Sequence, residues 1–514
     1  MKSWILAASI VLVTVLTVVG LTRGDGSIGL AFAPALCLAA LGAIAILPLR
    51  YPTLALTFFV LTLENPSEVP AAGQWKSPIY DVGAVLLAHM NVTFPHKILI
   101  FSGVDVVLVV LLLVTLRRWI SAPDAEAART AAPGPMRTFA ALSVAGAVWM
   151  WLYGAARGGA DNASALWQVQ RVVYLPTFCL VFLLALRGRA DRAALAKVFV
   201  AAACLKAALA IYLRATVPPV PGDEVLAYAT THQDSMLFAG AFCMLVAPLV
   251  ERVDRRHART CLLLLPLLAA GMVANHRRIV WVELIAGLVV MLAVTPWTPP
   301  KRALARAAVL SSPLALIYAA LGWSSKAPAF APVQTLRSVV DSKADGSTAW
   351  RDWENYDLFY TIRQTPLFGT GYGHGYIEIV KLPDISQSYS LYRFIPHNAI
   401  LGLWAYGGYV GFAMLTTMIV VGVFLAARAH AFAEHASDRT AALAALASIV
   451  VYLVHCYGDM GLGTWTSVFM VGPALAVSSQ LAVETGAWPS RARDPSRVSR
   501  GTSFALAPTN GRLS

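Results

Sequence analysis

Apolar stretches of about membrane-spanning length recur along nearly the whole of this 514-residue chain. Runs such as Trp4–Val19, Val198–Leu213 and Leu304–Leu321 have no polar face to turn towards water. That rules out amphipathic helices around one large soluble core. The balance of 58% hydrophobic to 13% charged residues agrees, because a soluble chain of this size needs far more charge to cover its surface. The chain is expected to be an all-α polytopic membrane protein.

The runs place spans at 4–22, 28–48, 51–63, 104–119, 138–154, 168–186, 193–213, 234–250, 261–275, 278–296, 304–322, 398–427, 440–457 and 464–483, about 12–14 in all. Segment 51–63 is short and precedes Asn65-Pro66, so a half-helix is the alternative there. The first run is longer than a signal-peptide core. Val18-Val19-Gly20-Leu21-Thr22-Arg23 has no small-x-small cleavage pattern, so it is read as the first span. All six cysteines lie in apolar runs without a CxxC pair, which points to packing instead of disulfides or thiolate metal ligation.

A net charge of +13 suggests nucleic acid until its distribution is examined. Lys2, Arg50, Arg117–Arg118, Arg187–Arg192, Arg252–Arg256, Lys301–Arg306 and Arg428–Arg439 all fall on one side when the spans alternate. The positive-inside rule explains this and makes both termini cytoplasmic; no nucleic-acid partner is expected. Four regions follow: an N-terminal bundle over 1–322 with a non-cytoplasmic segment at 64–103, a large outer loop between the eleventh and twelfth spans at 323–397, C-terminal spans over 398–483, and a basic disordered tail at 484–514. Proline and aromatic residues suggest that 64–103 is a lid on the bilayer surface. In the large loop, 350–364 reads as a helix, and Gly369–Gly375 as a flexible, turn-rich stretch. Loops this long often carry function.

Ionisable groups inside a bilayer are costly, so their positions are informative. Asp105, Arg171, Arg214, Asp234, Arg278, Glu283, His397, His455 and Asp459 all come near the outer ends of their spans, and Lys206 alone falls near a middle. An ion pathway needs polar groups through the full depth; this pattern suggests a site at one surface. Arg277 and Arg278 open a span at the end where both the helix dipole and the positive-inside bias disfavour them. Either an anionic ligand, a pair with Glu283, or contact with lipid phosphate must compensate. Arg171 shares a helical face with Gln168 and Tyr174, which fits a cavity or a partner helix. Arg351 precedes a glycine-rich segment whose backbone could approach a ligand closely, although no Walker lysine accompanies it and a nucleotide site is rejected. His397 stands at the N-terminus of a span, where imidazolium is disfavoured, so a neutral ring able to accept a proton is expected; a purely capping role is the alternative. His374 is equally a turn residue or a substrate contact. No metal-ligand spacing is found.

Three elements in order resemble the O-antigen ligase superfamily, which includes lipopolysaccharide ligases and Wzy-type polymerases. They are Arg278 with Trp281, then Arg351 before Pro366-Leu367-Phe368-Gly369-Thr370-Gly371-Tyr372-Gly373, then His397-Asn398 followed by Leu401, Trp404, Gly407-Gly408 and Gly411. The resemblance covers roughly 265–430 and departs from the family by His276-Arg277 where small residues are usual. It implies a GT-C-like enzyme of the bacterial inner membrane that transfers glycans from undecaprenyl diphosphate at the periplasmic face, with no metal or other cofactor. It further implies that Arg278 and Arg351 hold the diphosphate and His397 deprotonates the acceptor; Arg277, Arg171, His374 and Asn398 are the candidate substrate contacts beside them. The implied partners are the lipid-linked donor, a glycan or lipid A–core acceptor, membrane lipids and polysaccharide assembly or export proteins. Polymerase and ligase differ only in the acceptor. A lipid-linked oligosaccharide flippase and a non-catalytic scaffold are the readings from other classes.

Overall fold

The computed structural model describes residues 41–63, 100–120, 135–217, 229–325, 327–330, 346–385 and 391–488, apart from 45, 254 and 460, together with positions 83, 87, 333, 334, 337 and 338. The expected span 4–22, most of 28–48, the lid segment up to 99, the stretch 121–134 and the tail beyond 488 lie outside the described residues.

The described chain is helical: α1 (Arg50–Thr62), α2 (Gly103–Ile120), α3 (Pro135–Arg157), α4 (Asn162–Ala185), α5 (Gly188–Thr216), α6 (His232–Val250), α7 (Arg255–Asn275), α8 (Ile279–Val294), α9 (Pro299–Gly322), α10 (Gly346–Gln364), α11 (Ala399–Phe432), α12 (Ala436–Gly458) and α13 (Trp465–Glu484). Among the described residues, nine helices are long and apolar enough to cross a membrane: α3 to α7, α9 and α11 to α13. The short α1 is a 13-residue helix, in agreement with the sequence reading of 51–63 as a short element. Most expected spans lengthen by a few residues at their polar ends. In α7, for example, the helix begins at Arg255, six residues before the apolar run.

At the centre lies α13, buried along almost its whole length and packed by α4, α11 and α12. Close approach is possible because small residues stand at the crossings: Gly472 meets Phe178, Gly240 meets Met470 and Gly422 meets Leu475. Within a bilayer such packing replaces the hydrophobic drive that water would supply. The described cysteines are free thiols within these interfaces, as expected.

Polar side chains gather at the two ends of the bundle. At one end Arg192 bridges Asp438 and Glu484, Arg189 joins Asp438, Arg50 approaches Asp191, and Glu251 takes both His430 and Arg439. This is the end where the sequence puts its basic clusters. Lys206, expected alone in mid-membrane, instead faces Asp234 at 3.5 Å, both almost fully buried, so its charge is paired. Asp234 also accepts from the Thr231 amide at the start of α6, at the opposite end.

Candidate functional site

At that opposite end the large loop is docked onto the bundle. The Gly-rich stretch, expected to be flexible and to approach a ligand, packs against the protein's own backbone. The long helix α11 is broken at Gly408, whose φ of 56° and ψ of −165° are non-helical. Into the break comes 366–372: Tyr409 and Val410 amides donate to the Pro366 and Leu367 carbonyls, while Thr370 and Gly371 amides donate to Ala405 and Tyr406. A broken helix at membrane depth survives only if its freed groups find partners, and this segment supplies them. Gly371, at φ 78°, lies so close to Gly154 of α3 that a Cβ there would meet the Gly154 Cα at 2.4 Å. Its glycine is therefore demanded by both conformation and space.

The expected helix at 350–364 is α10, which begins slightly earlier, at Gly346. Its buried residues Leu358 and Ile362 join a core with Tyr372, Tyr376, Leu401 and Tyr406, and this fixes α10 over the start of α11. Asp357 and Thr361 then accept the amides of Ile379, Val380 and Ile377.

His397 stands just before α11, whose N-cap is Asn398; the Asn398 Oδ1 accepts the Leu401 amide at 3.1 Å. The sequence points to the helix end as the control on His397. The structure adds a buried carboxylate: Glu354 of α10 accepts the His397 amide at 3.0 Å and lies 3.2 Å from Nδ1. Glu354 is almost wholly enclosed, whereas the His397 side chain is 21% exposed. Carboxylate oxygens accept, so Nδ1 carries the hydrogen that faces Glu354, and Nε2 is the ring nitrogen turned away from that contact. Burial, with the charges of Glu354, Glu378 and Asp357 nearby, pushes the Tyr376 phenol far up, so it keeps its hydrogen.

Arg277 and Arg278 lie in a tight connection between α7 and α8. His276 ends α7 with φ 58°, a conformation usually left to glycine, and the chain turns back within two residues. Asn275 ties this corner to the start of α6 by accepting the Thr230 amide and hydroxyl. The Arg278 guanidinium donates to the Ser338 carbonyl at 3.2 Å, and the Thr348 hydroxyl donates to the same oxygen. Arg351 follows Thr348 by one turn of α10, and Glu354 follows Arg351 by three residues. Glu283 is not the partner of Arg278: it is buried against His455 Nδ1 at 2.7 Å. Arg278, Arg351 and His397 are therefore joined through one helix.

The other expected residues divide. Arg171 lines a cavity of about 40 Å³ behind the His397 turn, with Gln168, Phe394, Pro396 and Ala399 around it. Its expected polar stripe is mostly structural, because Gln168 bonds the Phe394 carbonyl and the Gly373 amide while Tyr174 bonds Asp105. His374 Nε2 sits 3.0 Å from the Gly154 carbonyl, so its ring is anchored to α3. Glu354 escaped the sequence reading because the loop's acidic residues look scattered. Its signal is the spacing Arg351, Glu354, Leu358, which runs along one helical face.

No curated protein matches the chain. Residues 262–416 match the family model described as O-Antigen ligase, and that range runs from α7, through Arg278, Arg351 and His397, into α11 beyond its break. Taken with its many apolar helices, the match makes this a multi-pass bacterial membrane protein of the glycosyl-transferring type. Over that segment, which holds the corner of the two arginines, the docked loop and the broken helix, the chain is similar to the O-antigen ligase family.

Proposed function

We propose that this chain is a GT-C-like glycosyltransferase of the inner membrane, with both termini cytoplasmic, that transfers glycans from undecaprenyl diphosphate to an acceptor hydroxyl at the periplasmic face. The observation that carries this reading is that α10 is held at two points, Thr348 sharing the Ser338 carbonyl with Arg278 and Glu354 bonding His397, with Arg351 placed between them on the helix. Anion-holding groups and a base thus flank one helix.

The chemistry then needs nothing from the cytoplasm. The acceptor oxygen attacks the anomeric carbon, the bond from that carbon to the diphosphate oxygen breaks, and its electron pair stays on the diphosphate. Arg278 and Arg351 stabilise the charge that grows there, through fixed donors in a site of low dielectric. His397 Nε2 takes the acceptor's proton, and Glu354 steadies the imidazolium that results. Attack opposite the leaving group inverts the anomeric centre. The large loop of 323–397 offers surface for a growing glycan, which favours a polymerase of repeat units over a ligase onto lipid A–core.

Complementation of a deletion strain tests the reading. His397→Ala, Arg278→Ala and Arg351→Ala are each expected to abolish glycan transfer while inserting normally, and wild-type activity from His397→Ala would overturn the mechanism. In the same strain, single repeats on the acceptor indicate a lost polymerase. Lipid-linked polymer that never reaches its acceptor indicates a lost ligase.

A further inference from the structure

The cavity behind the His397 turn is lined by two hydrogen-bond donors that the mechanism above does not use. It is half-open, has a volume of about 40 Å³, and lies between α4, the docked loop and the first turns of α11. Most of its walls are apolar, with Val172, Ile395, Leu403 and Leu462 among them. Gln168 also lines it, but that amide is already engaged: Nε2 donates to the Phe394 carbonyl and Oε1 accepts the Gly373 amide. Arg171 and Tyr372 remain.

Arg171 sits about two and a half turns into α4 and is half-buried. Among the described residues it forms no ion pair and no hydrogen bond. Asp105, the carboxylate that Tyr174 of the same helix bonds, is already held by the Ser102 amide and hydroxyl. Gly463 presses on the Arg171 stem, where a Cβ would run into the Arg171 Cβ, so the side chain is fixed at its root. Tyr372 is 1% exposed, and its hydroxyl has no hydrogen-bond partner among the described residues. Its backbone is held as well, because its amide donates to the Met150 carbonyl of α3. A lone guanidinium within a membrane span and a buried hydroxyl without an acceptor are both costly. Both lack the same thing, an acceptor.

We propose that this cavity is a subsite for the carboxylate of an acidic sugar in the glycan, with Arg171 as its ion-pair partner and Tyr372 as a second donor. This rests on the reading of a glycan substrate given above. The guest's chemistry follows from the donors. A cation without a counter-ion calls for a negative charge, which a neutral sugar does not supply. A carboxylate is planar, carries one charge and offers two oxygens, which suits a guanidinium fork and one phenol. A phosphate brings more charge and more oxygens than these two groups satisfy. The volume admits a carboxyl group but no sugar ring, so the ring stays at the mouth. Pro396 and Ala399 line the same cavity, so a sugar anchored there lies beside the turn that carries His397.

The test is saturation-transfer NMR on the purified full-length protein in detergent, with methyl glucuronoside, neutral methyl glucoside and acetate as probes. Wild type is expected to bind methyl glucuronoside on the order of tenfold more tightly than methyl glucoside, the worth of one charge-assisted hydrogen bond. Arg171→Gln is expected to lose that preference. Tyr372→Phe is expected to weaken glucuronoside binding by roughly fivefold, without lowering the unfolding temperature of the ligand-free protein, because the hydroxyl it removes has no partner. If Arg171→Gln does not fold, Arg171→Lys takes its place and is expected to bind more weakly than wild type, since it keeps the charge without the fork. Equal binding of the two glycosides by wild type, or an undiminished preference in the Arg171 variant, would overturn the proposal. Acetate bound as tightly as the glucuronoside would overturn the sugar assignment. A Tyr372→Phe protein that unfolds at lower temperature yet keeps wild-type affinity would mean that the hydroxyl serves only water, against the proposal. Glycan transfer in proteoliposomes is measured apart: a wild type that binds methyl glucuronoside but transfers nothing would sink the transferase reading and leave the subsite standing.

Discussion

In the proposed mechanism, the pairing of His397 with Glu354 is the contact on which the chemistry turns. A glutamine at 354 keeps the size of the side chain but offers an amide that can donate to Nδ1. The imidazole would then carry its hydrogen on Nε2 and could no longer accept there. Glu354→Gln is therefore expected to lower the rate of transfer by roughly 10²–10⁴-fold, the range for a displaced general base, with insertion and thermal stability little changed. Rates in proteoliposomes decide it; a variant within a factor of a few of wild type would mean that Glu354 only holds the loop in place. At the same scale, Arg278 and Arg351 are proposed to do with fixed charge what a divalent cation does elsewhere. Chelation by EDTA is accordingly expected to leave the transfer rate unchanged, and a rate lost to EDTA and restored by one metal would refute that assignment.

Among the elements, α10 and the break in α11 do the arranging. One extra residue inserted in α10 between Arg351 and Glu354 rotates them apart by about 100°. Such an Ala insertion is expected to abolish transfer although every proposed site residue is still present, and retained activity would show that the helix is not the ruler. Gly371→Ala puts a methyl group against the Gly154 backbone at a positive φ, so it is expected to reduce thermal stability sharply, by the same assay that follows folding. Much of this was legible beforehand. The helix at 350–364, the start of α11 at Asn398 and the position of Arg278 follow from periodicity, capping residues and the ends of apolar runs. The packing of Gly369–Gly373 was not, because a glycine string looks the same whether its backbone meets a ligand or another helix. Nor was Glu354: the spacing Arg351, Glu354, Leu358 marks its helical face, but its contact with His397 joins residues 43 positions apart and cannot be read from that spacing. The alternative of an Arg278–Glu283 pair fails for a related reason, since Arg278 is close to Glu283 in sequence while the side chain that bonds it is His455.

Across the whole molecule, the two polar ends carry different work. The basic end is knotted by ion pairs that hold α5, α6, α11, α12 and α13 together. Arg192 is the most enclosed of its cations and serves two carboxylates. Arg192→Ala removes the cation shared by Asp438 and Glu484, while Asp438 keeps Arg189, and is expected to appear as a lower unfolding temperature with unchanged specific activity of the folded fraction. A variant as stable as wild type would mean that the network is ornamental. The opposite end is built to present a geometry. Since Arg351 and Glu354 ride on a single rod, their axial offset is about 4.5 Å whatever is bound. On the proposed mechanism, the bond to be cut would then arrive at one fixed height along this rod, regardless of how many sugars trail behind it. Any preference for one glycan over another has to be exercised by surfaces further out, while the cutting step itself stays indifferent to length.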